Sequence, residues 1–297
     1  MKRLTLVLLF LLAIPAFAQD QDAAREKRFQ DEAAKAQDTT RPSGWMMGSV
    51  AGLNLSQVSF KDWAQGGENS MAYAFWATGN AIRHGESTRW INSLKATFGQ
   101  TRVGDQELRK TDDELYFESL LIYTLGTTIN PYASGTLRTQ FAPAYTYPAN
   151  LPKQQISAFF DPAYLTQSAG VAYTPYENLT TRLGVGVREV ITSTYTAYAD
   201  DPETIEIEKT RVNGGLESVT DFKWPFAENM VFTSRLEMFS PFNALDRVIV
   251  RSDNTVAMKV NQYVTVNFNV QLVNDVNVQA RTQFKEALAV GLSYTLL

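Results

Sequence analysis

The stretch Ala287-Leu288-Ala289-Val290-Gly291-Leu292-Ser293-Tyr294-Thr295-Leu296 decides the fold. Leucine, valine and tyrosine fill every second position, and alanine, glycine, serine and threonine fill the positions between. Successive side chains of a β-strand point to opposite faces, so this period of two places large apolar groups on one face and small ones on the other. The pattern recurs upstream. Val264, Val266, Phe268, Val270 and Leu272 alternate with Thr265, Asn267, Asn269 and Gln271. Trp90, Leu94, Ala96 and Phe98 alternate with Ser93, Lys95, Thr97 and Gly99. Val212, Leu216, Phe222 and Trp224 share a face opposite Arg211, Asn213, Glu217, Asp221 and Lys223.

Twelve such segments are expected, at about 45–58, 69–83, 89–101, 113–126, 131–142, 162–174, 179–192, 210–223, 229–239, 247–260, 263–273 and 286–297. An even number of strands of about ten or more residues predicts an all-β fold, a transmembrane antiparallel up-and-down β-barrel. The connections alternate too. Those at 59–68, 102–112, 143–161, 193–209, 240–246 and 274–285 are longer than the turns at 84–87, 127–130, 175–178, 225–228 and 261–262. Outer-membrane barrels have long extracellular loops and short periplasmic turns, and a soluble sandwich has no reason to alternate. Trp45, Trp90, Tyr132, Tyr123, Tyr173 and Trp224 all fall near the short-turn end, where amphipathic rings would form an interfacial girdle.

Composition narrows the chemistry. The 297 residues contain no cysteine, which excludes disulfides, thiolate metal sites and a cysteine nucleophile. The single histidine, His84, is expected in a short turn, far from where an imidazole would serve a hydrolase at the outer rim. No Gly-x-Ser-x-Gly, nucleotide-binding loop or EF-hand pattern is present. The net charge of −4 argues against nucleic acid as a partner. No cofactor and no metal site is expected. The acidic run Asp200-Asp201-Pro202-Glu203, with Glu206 and Glu208, has carboxylates for a cation but no recognised spacing.

The N-terminus reads as a secretory leader. Lys2-Arg3 precedes an apolar run from Leu4 to Ile14, and Ala16-Phe17-Ala18 is a cleavage site. Cleavage after Ala18 removes two of the 27 basic residues, leaving 25 against 31 acidic, a net charge of −6. Gln19, in the place of a lipid-bearing cysteine, rules out a lipoprotein. Residues 19–44 form a polar periplasmic segment, and 45–297 the barrel. After the leader no stretch reaches the 18 apolar residues that a membrane helix needs.

The chain resembles a Bacteroidetes-type family of outer-membrane β-barrels known only as a domain of unknown function. Four groups of residues carry the likeness. They are Leu53-Asn54-Leu55-Ser56-Gln57-Val58 with Asp62-Trp63-Ala64-Gln65-Gly66-Gly67-Glu68-Asn69-Ser70; Arg138-Thr139-Gln140-Phe141; Phe160-Asp161-Pro162-Ala163-Tyr164 with Tyr173-Thr174-Pro175; and Met258-Lys259-Val260-Asn261-Gln262-Tyr263 with Gln283-Phe284-Lys285-Glu286-Ala287-Leu288. The sequence departs from the family at Leu297, where such barrels end in an aromatic residue. The resemblance implies an architecture and a location, and no activity.

Two sets of residues are candidates for function. The glycine-rich loop with Asp62, Trp63, Gly66, Gly67 and Asn69 reads equally as a plug at the outer mouth or as a tight surface turn. The charges on the non-lipid faces, Glu114, Glu118, Arg138, Arg182, Arg188, Arg211, Glu217, Arg235 and Glu237, with Lys95, Arg251 and Lys259, would either pair across the lumen or line a selective path. The expectation is a non-enzymatic barrel with a narrow lumen, acting as a selective channel, a solute carrier or a structural element. The alternatives are an adhesion barrel working through the 143–161 loop, with Tyr145, Tyr147, Phe159 and Phe160, and a membrane-embedded hydrolase. The expected partners are outer-membrane lipid, lipopolysaccharide and, during insertion, the barrel-assembly machinery. The solute is unknown.

Overall fold

A computed structural model describes residues 44–297, apart from 62, 63, 65, 66, 202, 203, 262, 279, 296 and 297. The leader and most of the polar N-terminal segment lie outside the described residues.

Twelve strands carry the wall: β1 (Gly44–Val58), β2 (Ser70–His84), β3 (Thr88–Val103), β4 (Arg109–Tyr123), β5 (Ile129–Thr139), β8 (Ala163–Tyr176), β9 (Leu179–Ile191), β10 (Thr210–Ala227), β11 (Met230–Pro241), β12 (Ile249–Lys259), β13 (Val264–Asn274) and β14 (Gln283–Thr295). Two short strands, β6 (Ala144–Thr146) and β7 (Gln154–Ser157), form a hairpin inside the connection between β5 and β8. Each wall strand pairs antiparallel with its neighbours in chain order, and β14 returns to β1, so the sheet is a closed barrel. The closing seam is short. β1 and β14 share five register pairs, from Val50 with Thr295 to Asn54 with Gly291, against fifteen between β1 and β2.

The period-two pattern fixes which residues face outward. Leu183, Val185, Leu288 and Leu292 are 54%, 56%, 71% and 58% exposed, although all are aliphatic. Their chain neighbours turn inward, and Arg182 is only 1% exposed. An apolar outer wall around a charged interior inverts the arrangement of a soluble barrel. Trp45 and Trp90 lie with ring centroids 5.4 Å apart, and Trp224 and Phe226 with theirs 5.6 Å apart, at the short-turn end. Tyr123 and Tyr173 are exposed there as well. Tyr132 departs from the expected girdle. Its parity within β5 turns it into the lumen, where it is 5% exposed.

All twelve expected strands are present, with shifted ends. β4 begins at Arg109 rather than near 113, because its first residues pair with Gln100 and Thr101 across a bulge at Gly99. The connection 104–108 is thereby no longer than the turn 124–128. The long loops are held by buried carboxylates rather than hanging free. The Asp161 carboxylate accepts the backbone N–H groups of Ser193, Thr194 and Tyr195 at 3.1, 2.7 and 3.4 Å, which joins the 140–162 and 192–209 loops. Asp113 accepts the N–H groups of Phe141 and Ala142 at 2.7 and 2.9 Å. Among the described residues no helix is long and apolar enough to cross a membrane, which says nothing about strands.

Candidate functional site

The lumen is layered. Down the inner face of β4, from the loop 104–108 to the turn 124–128, come Glu114, Tyr116, Glu118, Leu120 and Ile122. Carboxylates thus stand in the upper and middle lumen and aliphatic groups below. Leu120 packs with Tyr132 and Ala172, and Ile91 and Ile122 press against them, forming an apolar floor toward the short-turn end.

Above that floor the charges join across the barrel. Arg138 on β5 donates from Nε to Glu114 at 3.0 Å and from Nη1 to Glu237 on β11 at 3.1 Å. Arg235 donates to Glu237 at 2.8 Å, to Asp221 at 2.9 Å, and from Nη2 to Glu118 at 2.9 Å and the Tyr116 hydroxyl at 3.0 Å. Arg182 donates to Glu118 at 2.6 Å. Lys95 on β3 lies 3.2 Å from both Glu114 and Asp253 of β12. In the closed order β4 stands five places from β11, and β3 five from β12, in a ring of twelve. The bonds of Arg235 to Glu118 and of Lys95 to Asp253 therefore run nearly along the diameter. The Tyr116 ring sits beneath two guanidiniums, with the Arg138 carbon 4.6 Å and the Arg235 carbon 5.7 Å from its centroid. An ion in a low-dielectric interior requires a partner with good geometry, and here most partners are shared, so each charge holds several others in place.

Backbone spacing beneath this layer depends on two glycines. Gly170 and Gly184 face each other across β8 and β9 on the inner face. A Cβ on Gly184 would overlap the Ala169 carbonyl oxygen and come within 2.7 Å of the Tyr132 hydroxyl. The absent side chains let the Tyr132 ring reach across the wall, where the Arg182 guanidinium carbon lies 5.5 Å from its centroid. Gly184→Val should cost about 1–3 kcal/mol by overpacking. The check is the urea midpoint of the detergent-folded barrel. An unchanged midpoint would mean that the glycine pair has no packing role.

Between the network and the long loops the lumen opens into two chambers. The inner one, of about 330 Å³, is lined by Glu118, Arg182, Arg188, Glu217, Arg235 and Arg251 among others. The outer one, of about 410 Å³, reaches Lys110, Asp112, Asp113, Gln140, Ser157 and Lys285. Arg138, Tyr164, Tyr198 and Arg251 line both and mark the junction.

The expected lumenal charges separate into three groups. Glu114, Glu118, Arg138, Arg182, Arg235 and Glu237 form one network. Arg188 stands apart, on Asp275 at 2.9 Å, and Glu217 accepts a hydrogen bond from Ser168. Arg211 belongs to the loops, since its guanidinium donates to the carbonyl oxygens of Ala199 and Asp200. Tyr116, Tyr164, Asp221 and Asp253 are not among the expected lumenal candidates, although each alternates with an outward residue and parity sets Asp221 opposite Phe222 and Trp224. Of the glycine-rich loop, Asp62, Trp63 and Gly66 lie outside the described residues. Gly67 has a φ of 135°, against the Phe60 ring, and the Asn69 side-chain oxygen accepts the Phe60 N–H at 2.7 Å. Asn69 lines a separate cleft with Gln57, Arg102 and Gly104. Neither lumenal chamber is lined by a described residue of this loop.

His84 is not an exposed turn residue. It ends β2, is 7% exposed, and its Nε2 is buried without a hydrogen-bond partner. In the acidic loop, Glu208 accepts from the Thr204 hydroxyl at 2.6 Å and the Asp201 N–H at 3.0 Å. Those bonds, the hydroxyl first, hold its carboxyl down at about 2. Among the described residues no group of three acidic or histidine side chains is placed to hold a metal ion.

Fold and site together define a closed twelve-stranded antiparallel barrel with an apolar outer wall and an ion-bridged lumen. Residues 55–145 match a family described as a protein of unknown function, DUF3078. Residues 168–296 match a second, also described as a protein of unknown function, DUF481. No curated protein matches the chain. Among solved structures, the translocator domain of the autotransporter NalP from Neisseria meningitidis is similar at 11% identity and a TM-score of 0.40, covering 95% of this chain and 99% of that one. The NanC porin is similar at 9% identity and a TM-score of 0.39, covering 83% and 98%. An outer membrane channel from Pseudomonas putida F1 is similar at 13% identity and a TM-score of 0.38, covering 86% and 96%.

Proposed function

We propose that the chain is an integral outer-membrane β-barrel without catalytic activity, whose lumen is a narrow, selective path for a small solute. The observation that carries this reading is the set of ion pairs running from wall to wall, above all Arg138 with Glu237 and Arg235 with Glu118. Intramembrane charges that face a lumen mark routes, while a barrel needed only as an anchor has no use for the desolvation of so many ions. The exposed aliphatic outer wall and the aromatic pairs at one rim support placement in a bilayer. On this reading the long loops face outward, lipid and lipopolysaccharide surround the wall, and the assembly machinery inserts it.

Passage requires the bridging pairs to exchange for water or solute, so conductance through the native barrel should be small and selective. In a planar bilayer, the double variant Arg138→Ala, Glu237→Ala should conduct several-fold more current than the native protein. A large, steady, weakly selective current from the native barrel would overturn the reading.

One observation favours a second reading, a surface-binding barrel. The loop 140–162 carries its own hairpin and exposes Leu151 and Phe159, at 61% and 64%. Removing residues 147–153 would abolish surface binding on that reading and leave conductance unchanged.

A further inference from the structure

The charges lining the two chambers balance. Counting each described residue once, seven are basic and seven acidic. Twelve of these fourteen are paired with one another at 3.1 Å or closer. The two remaining are Glu217 and Arg251, and both line the inner chamber.

Neither satisfies the other. Among the described residues Glu217 has no ion pair, and its hydrogen bond comes from the Ser168 hydroxyl. Ser168 has one hydroxyl hydrogen, which goes to Glu217, so Ser134 at 2.9 Å and Tyr132 at 3.4 Å donate to Ser168 and hold it in place. Glu217 is therefore fixed against its own wall. Arg251 makes no hydrogen bond among the described residues. Its one ion pair is at 3.7 Å to Glu114 Oε1, an oxygen that already accepts Arg138. A guanidinium has five donors, and those of Arg251 are unused.

Register gives the separation. Glu217 stands opposite Phe239, and Phe239 opposite Ile249, with Arg251 two residues further along the same face of β12. Two strand spacings and a rise of two residues put the two Cα atoms about 11–12 Å apart. Side chains standing on one wall carry much of that separation into the lumen. An extended dipeptide spans about 7 Å, and a charge-assisted hydrogen bond at each end adds about 2.8 Å.

We propose that the inner chamber binds a small zwitterion of dipeptide length, with its carboxylate on Arg251 and its ammonium on Glu217. A neutral solute satisfies neither group, and a simple anion or cation satisfies only one. The chamber, at about 330 Å³, falls at the small end of ligand pockets, which suits a ligand of this size. The inference rests on the lumen being a solute path, and it names the class of solute.

The test is calorimetric titration of the whole detergent-folded barrel with three probes that share the glycylglycine backbone. Diglycine carries both charges, N-acetyl-diglycine only the carboxylate, and glycylglycinamide only the ammonium. Diglycine should bind about tenfold or more tightly than either, the equivalent of one charge-assisted hydrogen bond. Arg251→Gln should lower diglycine to the level of glycylglycinamide, and Glu217→Gln to the level of N-acetyl-diglycine. Both variants should keep the native melting temperature, because each removes a group that the protein itself leaves without a close ion pair. Equal binding of diglycine and N-acetyl-diglycine would reduce the chamber to an anion site and overturn the proposal. So would no binding, or variants that bind like the native protein. Diglycine binding in a barrel that never conducts would keep the site and overturn the path; conduction without probe discrimination would do the reverse.

Discussion

Replacing Glu118 by alanine is expected to destabilise the barrel by about 3–5 kcal/mol, the range for removing one partner of a buried ion pair. Glu118 Oε1 accepts both Arg182 at 2.6 Å and Arg235 at 2.9 Å. The Arg182 and Glu118 side chains are 2% and 8% exposed, so solvent cannot take over the lost charge. Arg182 would suffer most, because its Nε and Nη1 already lack partners among the described residues and Nη2 would join them. Arg235 keeps Asp221 and Glu237, which limits its share of the loss. Urea unfolding in detergent or lipid, followed by tryptophan fluorescence, measures the cost. A double variant, Glu118→Leu with Arg182→Met, should recover most of it, since a matched apolar pair carries no desolvation penalty. Equal instability in the single and double variants would mean that the ions do not pair in the folded barrel.

The second large effect tests the outer wall. Phe268 lies in the middle of β13, opposite Val256 and Leu288, and is 39% exposed on the outward face. If that face meets hydrocarbon, Phe268→Arg should cost about 2–4 kcal/mol near the midplane. Asn267 occupies the opposite face, between Ala257 and Ala289 in register, so Asn267→Arg should cost much less in the folded barrel. Refolding yield and urea midpoint in lipid vesicles separate the two. Equal costs would mean that the register or the membrane placement is wrong. In a soluble barrel, Phe268→Arg would be nearly neutral.

Both predictions depend on a division between face and partner. In the 287–296 stretch, alternation told which side chains turn out and which turn in, because a strand has only two faces and its period is two. The same rule, applied to twelve segments with turns between them, implied a closed ring, and it put Glu114, Glu118, Arg138, Arg182, Arg235 and Glu237 inside. Tyr132 is the exception: its aromatic character pointed to the rim girdle, while its parity within β5 turns it into the lumen. The expected loop at 102–112 shortened because nothing local marks where cross-strand pairing ends; β4 runs on as far as β3 offers it partners across the bulge.

The partners themselves depend on closure. Arg235 meets Glu118 across 117 residues of chain, and Arg138 meets Glu237 across 99. No spacing in the sequence links such residues; the link is set by strand register, accumulated around the ring, and by which walls end up facing each other. Likewise, parity puts Glu217 and Arg211 on the lumenal face of β10 with the same standing. Only the folded barrel sends the Arg211 guanidinium to the carbonyl oxygens of a long loop and ties Glu217 to Ser168, leaving it without a cation among the described residues. The sequence by itself determined the wall, its two faces and the chemistry of each, because those follow from a local period. The tertiary structure decided which charges neutralise one another and which remain for a ligand, because that depends on distances across a closed lumen.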